Sequence, residues 1–146
     1  MKVMIQRVKS ASCTVNGDTI SQINDGLLLL VGFTHDDAME DVHYMAKKIA
    51  NLRIFEDENH RMNKSILDMK YQILSISQFT LYGDARKGNR PSFIAAMKPQ
   101  KAEHLYEQLS VILNTVYGIQ TFNGVFGEMM DIQLINSGPV TIELEK

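Results

Sequence analysis

Cysteine is almost absent: Cys13 stands alone among 146 residues, so no disulfide can staple the chain and a packed core must hold it. Metal-ligand spacing is missing as well. His35, His43, His60 and His104 form no HExxH-type pattern, and no metal is expected. No glycine-rich phosphate loop follows a strand, which argues against a nucleotide cofactor, and no cofactor is expected. The longest apolar run, Leu27 to Val31, is far too short to span a bilayer, and the opening MKVMIQRVKS lacks a signal-peptide core. Neither secretion nor membrane insertion is expected, and the natural setting is a reducing cytoplasm. A charge excess is missing too. The net charge of −2 with 22% charged residues does not suit a protein that grips a long duplex through many phosphates, so any RNA contact should be confined to one end or patch.

What is present is a chain with 45% hydrophobic residues, long enough for one domain, residues 1–146, to bury a sizeable core. Lys2 to Val8 and Ala11 to Val15 have strand composition, and Asn16-Gly17 between Val15 and the strand Thr19 to Ile23 is a strong hairpin signal. Asn24-Asp25-Gly26 turns into a buried strand, Leu27 to Phe33. The period then changes. Ala38, Val42, Met45, Ala46 and Ile49 recur at helical spacing, predicting a helix from about Asp36 to Leu52 with Thr34 and Asp37 at its start. Arg53 to Ser65 reads as a loop or short hairpin, and Tyr71 to Ile76 as a strand buried on both faces.

Pro99 opens a second amphipathic helix carrying Ala102, Leu105, Tyr106, Leu109, Ile112, Leu113 and Val116, which Gly118 stops. Val125 to Ile135 has strand composition, Ser137-Gly138-Pro139 breaks it, and Val140, Ile142 and Leu144 alternate in a last strand. Strands outnumber helices, and the helices fall between groups of strands. The pattern predicts an α+β fold with a curved, largely antiparallel sheet or barrel-like core and two amphipathic helices.

Chemistry concentrates in Ser75 to Phe93. The buried strand ends in Ser77, Gln78 and Thr80, interrupted by Phe79, and runs into a turn-rich loop bearing Arg86, Lys87 and Arg90. Hydroxyls and an amide beside a basic loop suit an anionic substrate. Ser77 or Thr80 can act as a nucleophile only if a base lies within hydrogen-bond reach, and no histidine is close in sequence; otherwise the hydroxyls satisfy backbone groups at a strand end. The Gln78 side chain or its backbone N–H can instead polarise a carbonyl. Phe126 and Met130 are, by residue type alone, core residues.

Ser77-Gln78-Phe79-Thr80-Leu81, together with Lys87-Gly88-Asn89-Arg90-Pro91-Ser92-Phe93, resembles the first signature of the D-aminoacyl-tRNA deacylases. Asn136-Ser137-Gly138-Pro139-Val140-Thr141 resembles the second. The resemblance extends through Gln6-Arg7-Val8 and Gly26-Leu27-Leu28, spanning nearly the whole chain. It implies an ester hydrolase acting at the 3′ end of aminoacyl-tRNA, removing D-amino acids and mischarged glycine without a metal or cofactor. It implies that Ser77, Gln78 and Thr80 organise the reacting carbonyl, with Thr80 as nucleophile the minority mechanism, and that Phe79 shapes an adenosine pocket. Phe126 and Met130 fit its F-x-x-x-M spacing, beside the substrate. It further implies a homodimer whose cis Gly138-Pro139 enters the partner subunit's site, where backbone carbonyls select chirality. Glu128 and Ser137 depart from the small residue and the aspartate common at those positions. Two other classes compete: a non-catalytic nucleic-acid-binding dimer using Arg86, Lys87 and Arg90, and a small-molecule carrier with a pocket in the sheet.

Overall fold

A computed structural model describes Met1–Lys146, and its longest early element organises the sheet. Strand β1, Lys2–Val15, is one strand where the sequence suggests two. Its first half pairs antiparallel with β3, Gly26–Gly32, and its second half with β2, Asp18–Ile23. Along its other edge runs β8, Asp131–Glu145. The β1–β8 register shifts between Gln6 and Val8 and again between Val8 and Ser10. Such a shift changes which side chains face inward. Val3 and Ile5 accordingly pack in the larger hydrophobic cluster, while Val8, Ala11, Cys13 and Val15 pack in a second one. Asn16 and Gly17, at φ of 51° and 89°, close the β1–β2 hairpin in the left-handed conformations that such a two-residue turn needs.

Strand β6, Gln72–Ser77, pairs parallel with β3, and β7, Thr121–Asn123, pairs parallel with β6. The sheet is therefore mixed and barrel-like. Its parallel half follows from the helices, since parallel neighbours require long crossover connections. Helix α1, Met39–Asn51, lies between β3 and β6 in sequence, and helix α3, Pro99–Thr115, between β6 and β7. Val42, Met45, Ala46 and Ile49 of α1 and Leu105, Tyr106, Leu109 and Leu113 of α3 join Leu27, Leu29 and Ile73 in the larger cluster. Leu28, Leu74 and Ile76 face the second one. Both central strands are thus buried on both faces, as their apolar runs predict.

Three local expectations change, and the short hairpin expected within Arg53 to Ser65 is present. Thr34 to Asp37 forms a separate turn, in which Asp37 accepts from the Thr34 N–H at 2.7 Å, and α1 begins only after Ala38, whose N–H donates to Asp41 at 2.9 Å. Arg53 to Ser65 contains the short antiparallel pair β4, Phe55–Glu56, and β5, Met62–Lys64, followed by a one-turn helix α2, Ile66–Met69. Val125 to Met130 is a loop rather than the start of a strand. Ser137-Gly138-Pro139 does not end the last strand; β8 continues through it, with the Gly138-Pro139 peptide cis.

Candidate active site

Strand β6 delivers Ser77 to the rim of the sheet, opposite Val31 of β3. The next N–H, that of Gln78, donates to the Val31 carbonyl at 2.7 Å, and a 3-10 turn follows over Phe79–Tyr82. The Gln78 backbone N–H is thereby committed to the scaffold and is not available to a substrate. Its side chain is available: Nε2 donates to Thr80 Oγ1, and the amide carries a second N–H. Gly32 makes this close approach possible, since a Cβ there would stand 2.9 Å from the Gln78 carbonyl oxygen and 3.2 Å from Leu81 Cβ.

Neither hydroxyl of the motif satisfies a strand-end backbone group. Thr80 is exposed and bonded to an amide, and Ser77 is half-buried at the strand end. No histidine or carboxylate bonds either one, so no base activates them. The described residues also contain no group of three or more His, Cys, Asp or Glu side chains placed to hold a metal ion.

An apolar shelf flanks these polar groups. Phe79, 57% exposed, meets Phe93 edge to face at 5.2 Å between ring centroids, and Ile94 beside them is 84% exposed. Bridge partners Asp84 and Ser92 close the intervening loop, exchanging backbone hydrogen bonds at 2.8 Å. Downstream, His35 Nε2 lies 2.6 Å from the Ile94 carbonyl and the Thr34 hydroxyl donates to Ala95 at 2.7 Å. The basic loop is less basic than its sequence. Arg86 grips Asp84 through Nε and Nη2 at 2.9 and 2.7 Å, and this guanidinium holds the Asp84 carboxyl down at about 2. Lys87 and Arg90 are left without a carboxylate partner.

Phe126 and Met130 sit in the loop after β7, both half-buried. Phe126 packs against the larger cluster with its ring 5.9 Å from that of Tyr106, and Met130 packs against the second cluster. This loop adjoins β6: the Gly124 N–H donates to the Ser75 carbonyl at 2.9 Å, and the buried Tyr106 hydroxyl donates to the same oxygen at 2.6 Å. Glu128 is exposed.

Gly138 and Pro139 are exposed on β8, level with Arg7 of β1. Arg7 is 8% exposed and ties this corner down, donating from Nε to the Ser137 carbonyl at 3.1 Å and from Nη1 to the Ile54 carbonyl at 2.7 Å. In sequence Arg7 stands out only as part of the shared Gln6-Arg7-Val8 opening, although an arginine at an inward position of a strand is a signal that it holds something in place. Gly138 has φ +116°, and a Cβ there would meet Arg7 Nη2 at 2.6 Å. No hydrogen bond joins the two motifs within the chain. Ser77 is level with Val31 and hence Val3, so it lies four residues from Arg7 along β1, about 13 Å, and three strand spacings from β8, about 14 Å if the sheet were flat.

Comparison with known proteins identifies the family. The family described as D-Tyr-tRNA(Tyr) deacylase matches residues 4–145. A Bacillus mycoides protein named D-aminoacyl-tRNA deacylase is 57% identical over 145 residues, 99% of each chain, and one from Brevibacillus brevis is 55% identical over the same share. Among solved structures, a c-Myc DNA unwinding element binding protein is 42% identical with TM-score 0.95, covering 100% of this chain and 99% of that one. A probable eukaryotic D-amino acid tRNA deacylase shares the fold at TM-score 0.84 and 17% identity, covering 98% and 97%. The two signatures, in order and across almost the full length, and the matching fold have one source: the chain belongs to the D-Tyr-tRNA(Tyr) deacylase family.

Proposed function

We propose that this protein hydrolyses the ester that joins a D-amino acid to the 3′ end of tRNA, releasing the amino acid and free tRNA as a chiral proofreading step in translation. The observation that carries the reading is the exposed Gln78–Thr80 pair at the end of β6, an amide donor and a hydroxyl with no base attached. An aminoacyl ester is already activated, so it needs a polarised carbonyl more than a strong protein nucleophile. Water adds to the carbonyl carbon, the Gln78 amide N–H steadies the negative charge developing on the carbonyl oxygen, and the acyl C–O bond breaks. The ribose oxygen leaves with a proton drawn from the attacking water, relayed through the vicinal ribose hydroxyl. Ser77 and Thr80 position the ester, and the Phe79–Phe93 shelf stacks the terminal adenosine.

Gly138 and Pro139 supply chiral selection to the partner subunit's site in a homodimer. A wall of backbone carbonyls pairs with the ammonium of a D-residue or glycine and leaves no room for an L side chain, and mischarged glycyl-tRNA is a second substrate on this logic. Phe126 and Met130 back the pocket from the core side. The protein works in the cytoplasm, where its tRNA substrate is; no helix is long and apolar enough to cross a membrane. A deacylation assay with matched D-aminoacyl-, L-aminoacyl- and glycyl-tRNA tests the reading. Release from the D and glycyl esters with the L ester spared is expected, whereas binding without hydrolysis would favour a nucleic-acid-binding module.

A further inference from the structure

A second cationic surface lies outside both motifs, in a groove of about 500 Å3 along the outer face and end of α1. Tyr44, Lys47, Lys48, Asn51 and Arg53 line it. None of its three cations pairs with a carboxylate, whereas the side chains of Lys2, Arg7, Lys64, Arg86 and Lys146 and the N-terminal ammonium do. For a protein of net charge −2, three unpaired cations in one groove are a local feature of the surface. Helix-dipole complementarity accounts for Lys48 in the last turn of α1. It does not account for Arg53, which lies beyond the helix and donates from Nε to the Asn63 carbonyl at 2.9 Å. That bond orients the guanidinium and leaves both terminal nitrogens unpartnered, the geometry that takes a phosphate by two parallel hydrogen bonds. The nearby Asp68 carboxylate makes no ion pair with the guanidinium, and its Oδ2 accepts from the Ser65 N–H and hydroxyl at 2.8 and 2.7 Å.

Two further details point to RNA. Lys48 Nζ sits over the Tyr44 ring at 5.6 Å from its centroid, holding the ammonium at the groove wall. The Asn51 side chain donates to the Lys47 carbonyl at 2.8 Å, which turns its oxygen into a free acceptor suited to a ribose 2′-hydroxyl. The groove also has a defined place relative to the second motif. Arg53 precedes Ile54, whose carbonyl Arg7 joins to that of Ser137.

We infer that the α1 groove grips the phosphate backbone of the tRNA acceptor stem, beyond the ester-bearing 3′ end, through Lys47, Lys48 and Arg53. This rests on the proposed tRNA substrate. Binding of uncharged full-length tRNA and of a single-stranded ACCA oligonucleotide is measured from low to physiological salt for the wild type and for a Lys47→Gln, Lys48→Gln, Arg53→Gln triple variant. Each cation that meets a phosphate contributes about 1 to the salt slope, so the slope for tRNA should fall by about 2 to 3. The affinity ratio of tRNA to ACCA should drop about tenfold or more at physiological salt. If the triple variant unfolds, Lys47→Gln alone, whose side chain makes no hydrogen bond or ion pair, should lower the slope by about 1. Wild-type affinity and slope in the variant would overturn the inference. Uncharged tRNA separates the two readings: an active enzyme with an unaltered slope loses the groove alone, and an inactive enzyme with a reduced slope loses the hydrolase alone.

Discussion

Thr80 has an exposed hydroxyl and Gln78 an amide bonded to it, so loss of each should have a different signature. On the proposed mechanism Gln78→Ala removes the oxyanion's donor and should lower kcat by about 10²–10³ with little change in KM. Thr80→Ala should slow turnover by a smaller factor, because it leaves that donor in place. Trapping an acyl-enzyme on Thr80, or finding that Thr80→Ala abolishes all hydrolysis, would refute the water mechanism. Gly138 is constrained in two independent ways. Its φ of +116° disfavours any side chain, and a Cβ would press on Arg7 Nη2 at 2.6 Å and Val140 Cγ2 at 3.1 Å. Gly138→Ala should therefore cost about 1–3 kcal/mol of stability and also lose D-aminoacyl-tRNA hydrolysis, readable as a lowered denaturation midpoint beside a lowered kcat/KM. Unchanged values of both would remove Gly138 from the site.

At the scale of elements, α3 is fastened to β6 by one buried bond, from Tyr106 to the Ser75 carbonyl at 2.6 Å. Burial pushes the Tyr106 phenol above its ordinary value near 10. A phenol raised by folding stabilises the fold fully below pH 10, and that stabilisation is lost as pH rises further. Tyr106→Phe should cost about 1 kcal/mol at neutral pH, a modest loss because Gly124 still donates to Ser75. It should also flatten the decline in stability above pH 10, leaving the part due to Tyr82, whose phenol burial raises as well. Denaturant midpoints from pH 8 upward would show this, and an unflattened decline would exclude Tyr106 as its source. The same helix shows why much of the fold was legible. Ala102, Leu105, Tyr106, Leu109, Ile112 and Leu113 recur at helical spacing and the structure buries all of them, whereas Val116, expected in the same stripe, lies just past the helix end and is 65% exposed. Helix α2 was missed although Ser65 and Asp68 form a capping box, because four residues are too few for a period to emerge. The parallel pairing of β3, β6 and β7 left no local mark either, since pairing direction depends on where crossovers land. In the site, the polar run at the end of β6 was readable from residue type. The loss of the Gln78 N–H to Val31 and of Arg86 to Asp84 was not, because each depends on a partner that sequence order does not assign.

For the whole molecule, the separation of the two motifs decides what a working site must contain. Were the sheet flat, Gly138 would stand about 13 Å along β1 and about 14 Å across the strands from the Ser77 end of β6, and no hydrogen bond joins the two motifs within the chain. Strand β8 has the form of a surface awaiting cover. It pairs with β1 alone, none of its residues is fully buried, and Ile135 is 57% exposed. A two-fold dimer would cover such a strand in both copies at once and exchange the motifs between them. Sedimentation should therefore report a dimer at working concentrations, and a fully active monomer would sink the exchange. Complementation gives a sharper test. The Gln78→Ala and Gly138→Ala chains should each be impaired alone, but mixed dimers bring the intact Gln78 of one chain to the intact Gly138 of the other. Refolded together in equal amounts, they should recover roughly a quarter of wild-type sites, since half of randomly paired dimers are mixed and one of their two sites is whole. Activity no greater than the average of the two variants would mean that each chain builds its site alone, and Gly138 would then have no place beside the ester.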